Sequence, residues 1–381
     1  MNVSRIWGKY FGPALLAAVL ALFFFSSFAA AQSLKDLPPP PPPPPTPTPT
    51  PVPTPKDEDF DVIRTTSNLV MVPVSVVEPN GQPAKGLQIT DFLLEEDGRR
   101  QEIAQIGDPE DVPLEIALLL DISGSTHARF EFEKQAASQF LKQVLKPQDR
   151  ATIYVIDRTP ALKQTSADAT TAASSLLAIQ PAADKGPTAF FDTVLDATEY
   201  LTAKTPPQHR RVILAISDGA DNFSERIKKV MGTTREEQDS VAQAVRERVY
   251  SRAISEVQRQ VQGADAVFYA INPSGDTMHL NIVTKRGHEG LRQIADATGG
   301  NVFVPELPQD LTAVFNQIAA ELRGQYLLQY YSNQATGAGF RKIKVALPTR
   351  AQYRVRARQG YYPKQRKDEG ERMKDEKKSS P

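Results

Sequence analysis

Five short apolar runs constrain the fold more than any other feature of this chain. They are EIALLLDI (residues 115–122), RATIYVID (150–157), RRVILAIS (210–217), ADAVFYAI (264–271) and NVFVPE (301–306). Continuous apolar runs of this length mark strands covered on both faces. Amphipathic stretches of helical period lie between them. In FEKQAASQFLKQVL the apolar face is Phe132, Ala136, Phe140 and Val144; near the end of the region, Leu311, Val314, Phe315, Ile318 and Leu322 form another core stripe. Strand–helix alternation of this kind predicts an α/β fold, a doubly wound, mostly parallel sheet. ALKQTS, after Pro160, reads as an added antiparallel edge strand.

Ligands of such sheets sit at the carboxyl ends of the strands. At the end of the first run stand Asp121, Ser123 and Ser125, as D-x-S-x-S. Alternate positions of an extended turn point to one side, so one carboxylate and two hydroxyls can converge there. A hard divalent cation that keeps some of its waters, such as Mg²⁺ or Mn²⁺, suits these oxygens. Two further residues have matching character: Thr188, read as the first turn of a helix in TAFFDTVLDATEYLT, and Asp218 after RRVILAIS. Capping of the next helix would account for one serine, but not for Asp121, Thr188 and Asp218 as well.

This constellation resembles the metal-ion-dependent adhesion site of von Willebrand factor type A domains, whose pattern places D-x-S-x-S, a Thr and an Asp in this order. The resemblance implies that Asp121, Ser123, Ser125, Thr188 and Asp218 hold Mg²⁺ or Mn²⁺, with Asp218 acting through a water. It also implies that a carboxylate of a partner protein, an Asp or a Glu, takes the open position. The function expected is therefore metal-dependent protein binding rather than enzymatic. The rim would draw on Thr126, His127, Gly186, Pro187, Gly219 and Asn222. Two other classes compete: a structural envelope protein with a stabilising metal, and a Mg²⁺-dependent phosphohydrolase. The latter needs a second acid where Ser123 stands. No G-x-S-x-G elbow for a serine hydrolase is present.

Composition narrows the partners. With 45 basic and 45 acidic residues the formal charge is zero, which argues against nucleic acid. No cysteine is present, so disulfides, thiolate catalysis and zinc–thiolate sites are excluded. His127, His209, His279 and His288 are scattered, without metal-ligand spacing.

Residues 1–31 read as a signal peptide: Arg5 and Lys9, an apolar run, then Ala29-Ala30-Ala31. An uncleaved anchor is the alternative. Either way the expected location is exported: periplasm, cell surface or secreted. Residues 32–59 are a proline-rich linker; the 18 residues 38–55, PPPPPPPPTPTPTPVPTP, would extend roughly 55 Å as polyproline II at ~3.1 Å each. They suit a stalk tethering the chain to a membrane or cell wall, or a ligand for a proline-reading module.

Residues 60–108 and 324–363 have β character. Val70, Val72, Val74 and Val76 alternate, Pro73 suggests an edge strand or bulge, and Asn80-Gly81 and Asp97-Gly98 are hairpin signals. Both flanks resemble segments of bacterial VWFA-related exported proteins, through VPVSVVEPNGQPAKGLQITDFLLEEDGRRQEI and YLLQYYSNQATGAGFRKIKV. Neither flank has enough strands to bury a core alone. They are expected to pair into one small β-sandwich into which the α/β region, 109–323, is inserted. Val72, Val74, Phe92 and Leu94 would face Leu327, Leu328, Ile343 and Val345. The stretch 222–262 reads as a long helix with Val241, Ala244, Val245, Val249, Ala253, Ile254 and Val257 on one face, either packed on the sheet or binding a partner. The charged tail, 364–381, reads as disordered.

Overall fold

The computed structural model describes residues 69–123, 127–182, 186–275, 282–332 and 339–363. The signal segment, the proline-rich stretch, Ser125, Thr126 and the charged tail lie outside the described residues. The leading flank supplies β1 (Leu69–Val77), β2 (Leu93–Glu96), β3 (Arg99–Gln101) and β4 (Ile103–Gly107). The α/β region runs β5 (Leu114–Asp121), α1 (His127–Val144), β6 (Arg150–Ile156), β7 (Ala161–Ala167), α2 (Ala169–Leu177), α3 (Phe190–Lys204) and β8 (Arg210–Ile216). It continues through α4 (Glu225–Met231), α5 (Arg235–Ser240), α6 (Gln243–Gly263), β9 (Ala266–Ile271), α7 (Ile282–Thr298), β10 (Val302–Phe303) and α8 (Asp310–Arg323). The closing flank supplies β11 (Tyr326–Tyr331), β12 (Arg341–Ala346), β13 (Arg354–Ala357) and β14 (Gly360–Tyr361).

The central sheet has the order β10-β9-β8-β5-β6-β7. All its pairings are parallel except β6 with β7, which is antiparallel, as the edge-strand reading of ALKQTS expects. The alternation of β5 shows why both faces are apolar. Ile116, Leu118 and Leu120 pack with residues of α1, α2 and α8, whereas Ala117 and Leu119 pack with residues of α3, α4, α6 and α7. The chain leaves β5 toward β6 and β7, then returns to β8 on the other flank of β5. The helix after β5 covers one face, and those after β8 cover the other. β5 and β8 therefore flank the topological switch point, where ligands of such sheets bind.

The two flanks build one sandwich. One sheet has the order β13-β1-β11-β4 and the other β14-β12-β2-β3, so each draws strands from both flanks. Val70, Val72, Val74, Phe92 and Leu94 share a core with Leu328, Tyr330, Ile343 and Tyr361, with Val345 packed at its margin. Leu327 is a correction: it is fully buried but lies outside that core. Strand alternation turns it to the opposite face of β11 from Leu328 and Tyr330. Inside the sandwich, the buried carboxylate of Glu96 accepts hydrogen bonds from Tyr330 (2.6 Å), Arg341 (2.8 Å) and Ser332 (2.9 Å). A buried charge persists only when paired and bonded in this way.

Pro73 is a second correction. β1 is an interior strand, not an edge. Its pairing with β13 begins only at Val74 opposite Ala357, whereas β11 pairs with Leu69 through Val74. The proline sits in the half of the strand with one neighbour, where its missing N–H costs least. Asp97 and Gly98, at φ 48° and 76°, make the two-residue turn joining Glu96 to Arg99. At Asn80-Gly81 the turn forms, and a single bridge of Pro83 to Val77, flanked by the Glu78 N–H to Gln82 and Ala84 N–H to Val76 bonds, follows it in place of a full ladder.

Residues 222–262 form three helices rather than one. Gly232 caps α4 at φ 83°, and Thr234 with Glu237 forms a capping box that starts α5. Only the second half of the expected face is buried: Val249, Ala253, Ile254 and Val257 pack on the sheet, while Ala244 and Val245 are exposed.

Arg210 fastens the sandwich at both chain crossings. Its buried guanidinium donates to the carbonyls of Pro109 and Leu322, each at 2.8 Å. Ion pairs of Arg356 with Glu321 and of Arg358 with Asp265 (2.6 Å) add to this seam. Among the described residues no helix is long and apolar enough to cross a membrane.

Candidate functional site

Asp121 ends β5 beside Ile156 of β6. Its Oδ1 accepts from the Ser123 N–H (2.9 Å) and the Ser123 hydroxyl (2.6 Å). Its Oδ2 accepts from the Ser217 hydroxyl, 2.7 Å away on the loop after β8. Ser217 therefore ties together the ends of the two strands at the switch point, and its Oγ also accepts from the Gly219 N–H (3.0 Å). Asp218 follows, its Oδ1 accepting from the Ala220 N–H at 2.9 Å.

Both carboxyls lie above the ordinary carboxylate range. Burial is the main cause at Asp121, offset in part by its serine hydrogen bonds, and the charge of Asp218 raises it further. At Asp218 burial again dominates, offset by the Ala220 N–H. Two partly dehydrated, mutually repelling carboxylates gain most from a cation between them.

Thr188 lies one residue before Ala189, the N-cap of α3, and not in the first helical turn. Its main chain is locked onto the 217–224 loop. The Thr188 N–H donates to Asn222 Oδ1 (2.7 Å), and the Asn222 and Phe223 N–H groups donate to its carbonyl, each at 3.1 Å. The loops that carry Asp121, Ser123, Thr188 and Asp218 thus meet beyond the carboxyl ends of β5 and β8; Ser125 lies outside the described residues.

Sequence reasoning missed the residues that hold this edge together. Asp221 is buried and accepts from Phe191 N (2.7 Å), Phe223 N (3.1 Å), Ser224 N (3.0 Å) and Ser224 Oγ (2.5 Å). It staples the start of α3 to the start of α4. Burial pushes its carboxyl up to about 6, against the pull of these hydrogen bonds. Its spacing to Ser224 was the available signal, since an Asx-type turn before a helix uses that pattern.

Gly219 does not belong to the rim. It is buried at φ 75°, and a Cβ there would lie 2.7 Å from the Gly287 carbonyl. Conversely, a Cβ on Gly287 would lie 2.5 Å from the Asp218 carbonyl oxygen and 2.8 Å from Ala220 N. Helix α7 therefore seats the loop directly, backbone on backbone. Gly287→Ala should displace that loop, weaken Mn²⁺ binding and cost about 1–3 kcal/mol through overpacking. The control is Gly290→Ala on the same helix, whose Cβ meets only the Ile254 side chain, at 3.1 Å. Thermal melts and Mn²⁺ titrations of both variants check this; a Gly287→Ala protein identical to wild type in both would contradict it.

The donor chemistry fits a hard cation: carboxylates and hydroxyls on a rigid frame. Among the described residues no three His, Asp or Glu side chains converge as a metal-holding group. A cation at this edge would accordingly depend on Asp121 and Asp218 with hydroxyls and water.

No protein-family model matches the chain, and no curated protein matches it in sequence. Solved structures that align with part of this chain include the PilB minor pilin from Streptococcus sanguinis, at 13% identity and TM-score 0.43, over 56% of this chain and 62% of that one. An aerotolerance-related membrane protein from Bacteroides fragilis aligns at 14% identity and TM-score 0.37, over 55% of this chain and 98% of that one. Proximal thread matrix protein 1 from the mussel byssus, with a zinc-occupied MIDAS motif, aligns at 12% identity and TM-score 0.38, over 58% and 48%. This chain thus spans less than two thirds of the pilin.

Proposed function

We propose that this chain is an exported, divalent-metal-dependent protein-binding module of the von Willebrand factor A type, which recognises a carboxylate of a partner protein. The observation that carries this reading is the pair of half-buried carboxylates, Asp121 and Asp218, at the switch point of the sheet, with Ser217 bonded to the first and adjacent in sequence to the second. Asp121, Ser123, Ser125 and Thr188 would hold Mg²⁺ or Mn²⁺, with Asp218 acting through water. One carboxylate directly bound to a divalent ion leaves net positive charge, and an acidic side chain from outside is the natural last ligand. Asp221 and Asn222 fix the Thr188 loop and Gly287 seats Asp218, which supports a site that would need little rearrangement to take a cation. A site that needs no ordering on binding loses less affinity to entropy.

Immobilised protein exposed to envelope extract tests the reading. A partner should be retained in Mg²⁺, released by chelator, and absent on Asp121→Ala. Equal retention in excess chelator would overturn it. Chelator-sensitive thermal stability with no metal-dependent partner would favour a stabilising metal in an envelope protein instead.

A further inference from the structure

We propose that Arg158 and Arg286 form a pair of anion clamps, one on each side of the metal loop, that take acidic side chains flanking the partner's metal-binding carboxylate. This rests on the metal-dependent reading above. Arg158 lies in the β6–β7 turn, two residues past Ile156, the strand partner of Asp121. Its guanidinium lies over the Phe223 ring, 5.3 Å from the centroid. Phe223 is fixed to the Thr188 carbonyl through its N–H. On the other side, Arg286 precedes Gly287, the residue that abuts Asp218 and Ala220. Its guanidinium lies over the Tyr250 ring at 4.6 Å. The Tyr250 hydroxyl donates to the Asp221 carbonyl at 2.5 Å. Each arginine is thus anchored, through an aromatic ring, to the same 218–224 loop.

Charge pairing distinguishes these two from Lys228 and Arg226. Lys228 also lies over Phe223, at 4.8 Å, but is ion-paired to Glu225 at 2.5 Å. Arg226 is ion-paired to Glu256. Among the described residues neither Arg158 nor Arg286 has a carboxylate within ion-pair distance. Arg158 is exposed and Arg286 half-buried. Stacking on a ring fixes the guanidinium plane, which favours bidentate capture of a carboxylate over a mobile ammonium contact.

Two capped probe peptides test the clamp by fluorescence anisotropy in Mn²⁺. One carries a single Asp in a Gly/Ser background; the other carries the same Asp with a Glu on either side. The flanked peptide should bind about tenfold tighter, with Arg158→Gln and Arg286→Gln each removing about threefold of that advantage, as exposed ion pairs allow. The advantage should shrink at high salt. Equal affinities on the wild-type protein, or an advantage unchanged in both variants, would overturn the clamp and leave the metal reading standing. Failure of both peptides to bind in Mn²⁺ would overturn both. Binding of inorganic tripolyphosphate in chelator, lost in both variants, would assign the arginines to phosphate and overturn the clamp alone.

Discussion

A chain ending at Arg323 should leave residues 69–107 unfolded while the central α/β sheet persists. The reason is in the strand order. Loss of β11 to β14 takes both neighbours from β1, the neighbour of β4, and one of the two neighbours of β2. What remains is the β2–β3 hairpin, and an isolated hairpin is marginal in water. Val70, Val72, Val74, Val76 and Leu94 would lose Leu328, Tyr330, Ile343 and Tyr361 across the core. Glu96 would lose Tyr330, Arg341 and Ser332, leaving its carboxylate without the bonds that sustain its burial. The α/β sheet keeps its pairings and both covered faces. It would lose the seam through Arg356, Arg358 and Gln325, so its melting temperature should fall without loss of the fold. Amide exchange checks this. Protection should vanish at 69–77 and 103–107 and remain at 114–121 and 210–216. Equal protection of 69–77 in the shortened and full chains would contradict a shared sandwich.

Much of this architecture was legible locally. The apolar runs gave the parallel strands because burial on both faces removes alternation, and Asp97-Gly98 gave its hairpin because a tight turn there needs φ > 0. The inserted arrangement followed from the poverty of each flank taken alone. What escaped was set by long-range geometry. Pro73 signalled an edge, but its neighbour on the unpaired side is displaced along the strand, a matter of register. Leu327 reads like Leu328 in sequence; only the position of a second layer decides which faces the sandwich core. The break at Gly232 was hidden by the strongly helical composition around it. At the candidate site, residue type and position pointed to Asp121, Ser123, Thr188 and Asp218. They did not point to Ser217, Asp221 or the Gly219–Gly287 contact, because their partners lie on other elements.

The second large effect is expected at Asp121. Asp121→Ala removes the carboxylate that begins the D-x-S-x-S loop, and no other described acid replaces it at that strand end. The loss in metal affinity should exceed the roughly 10–100-fold typical of removing an outer-shell partner. Stability in the absence of metal should change little. The variant loses hydrogen bonds from Ser123 and Ser217, but it is also freed of a half-buried carboxylate whose charged form desolvation and Asp218 disfavour. These terms oppose each other. Linkage sharpens the contrast: a cation that binds only the folded wild type stabilises it by about 2.7 kcal/mol at 100 times its dissociation constant. The variant should gain almost none of this. Calorimetric titration of Mn²⁺ into the wild type and Asp121→Ala, in metal-free buffer at neutral pH, measures this difference. Saturable one-site binding to the wild type and no measurable site in the variant are expected; equal Mn²⁺ affinity in the two proteins would rule out a metal site built on Asp121.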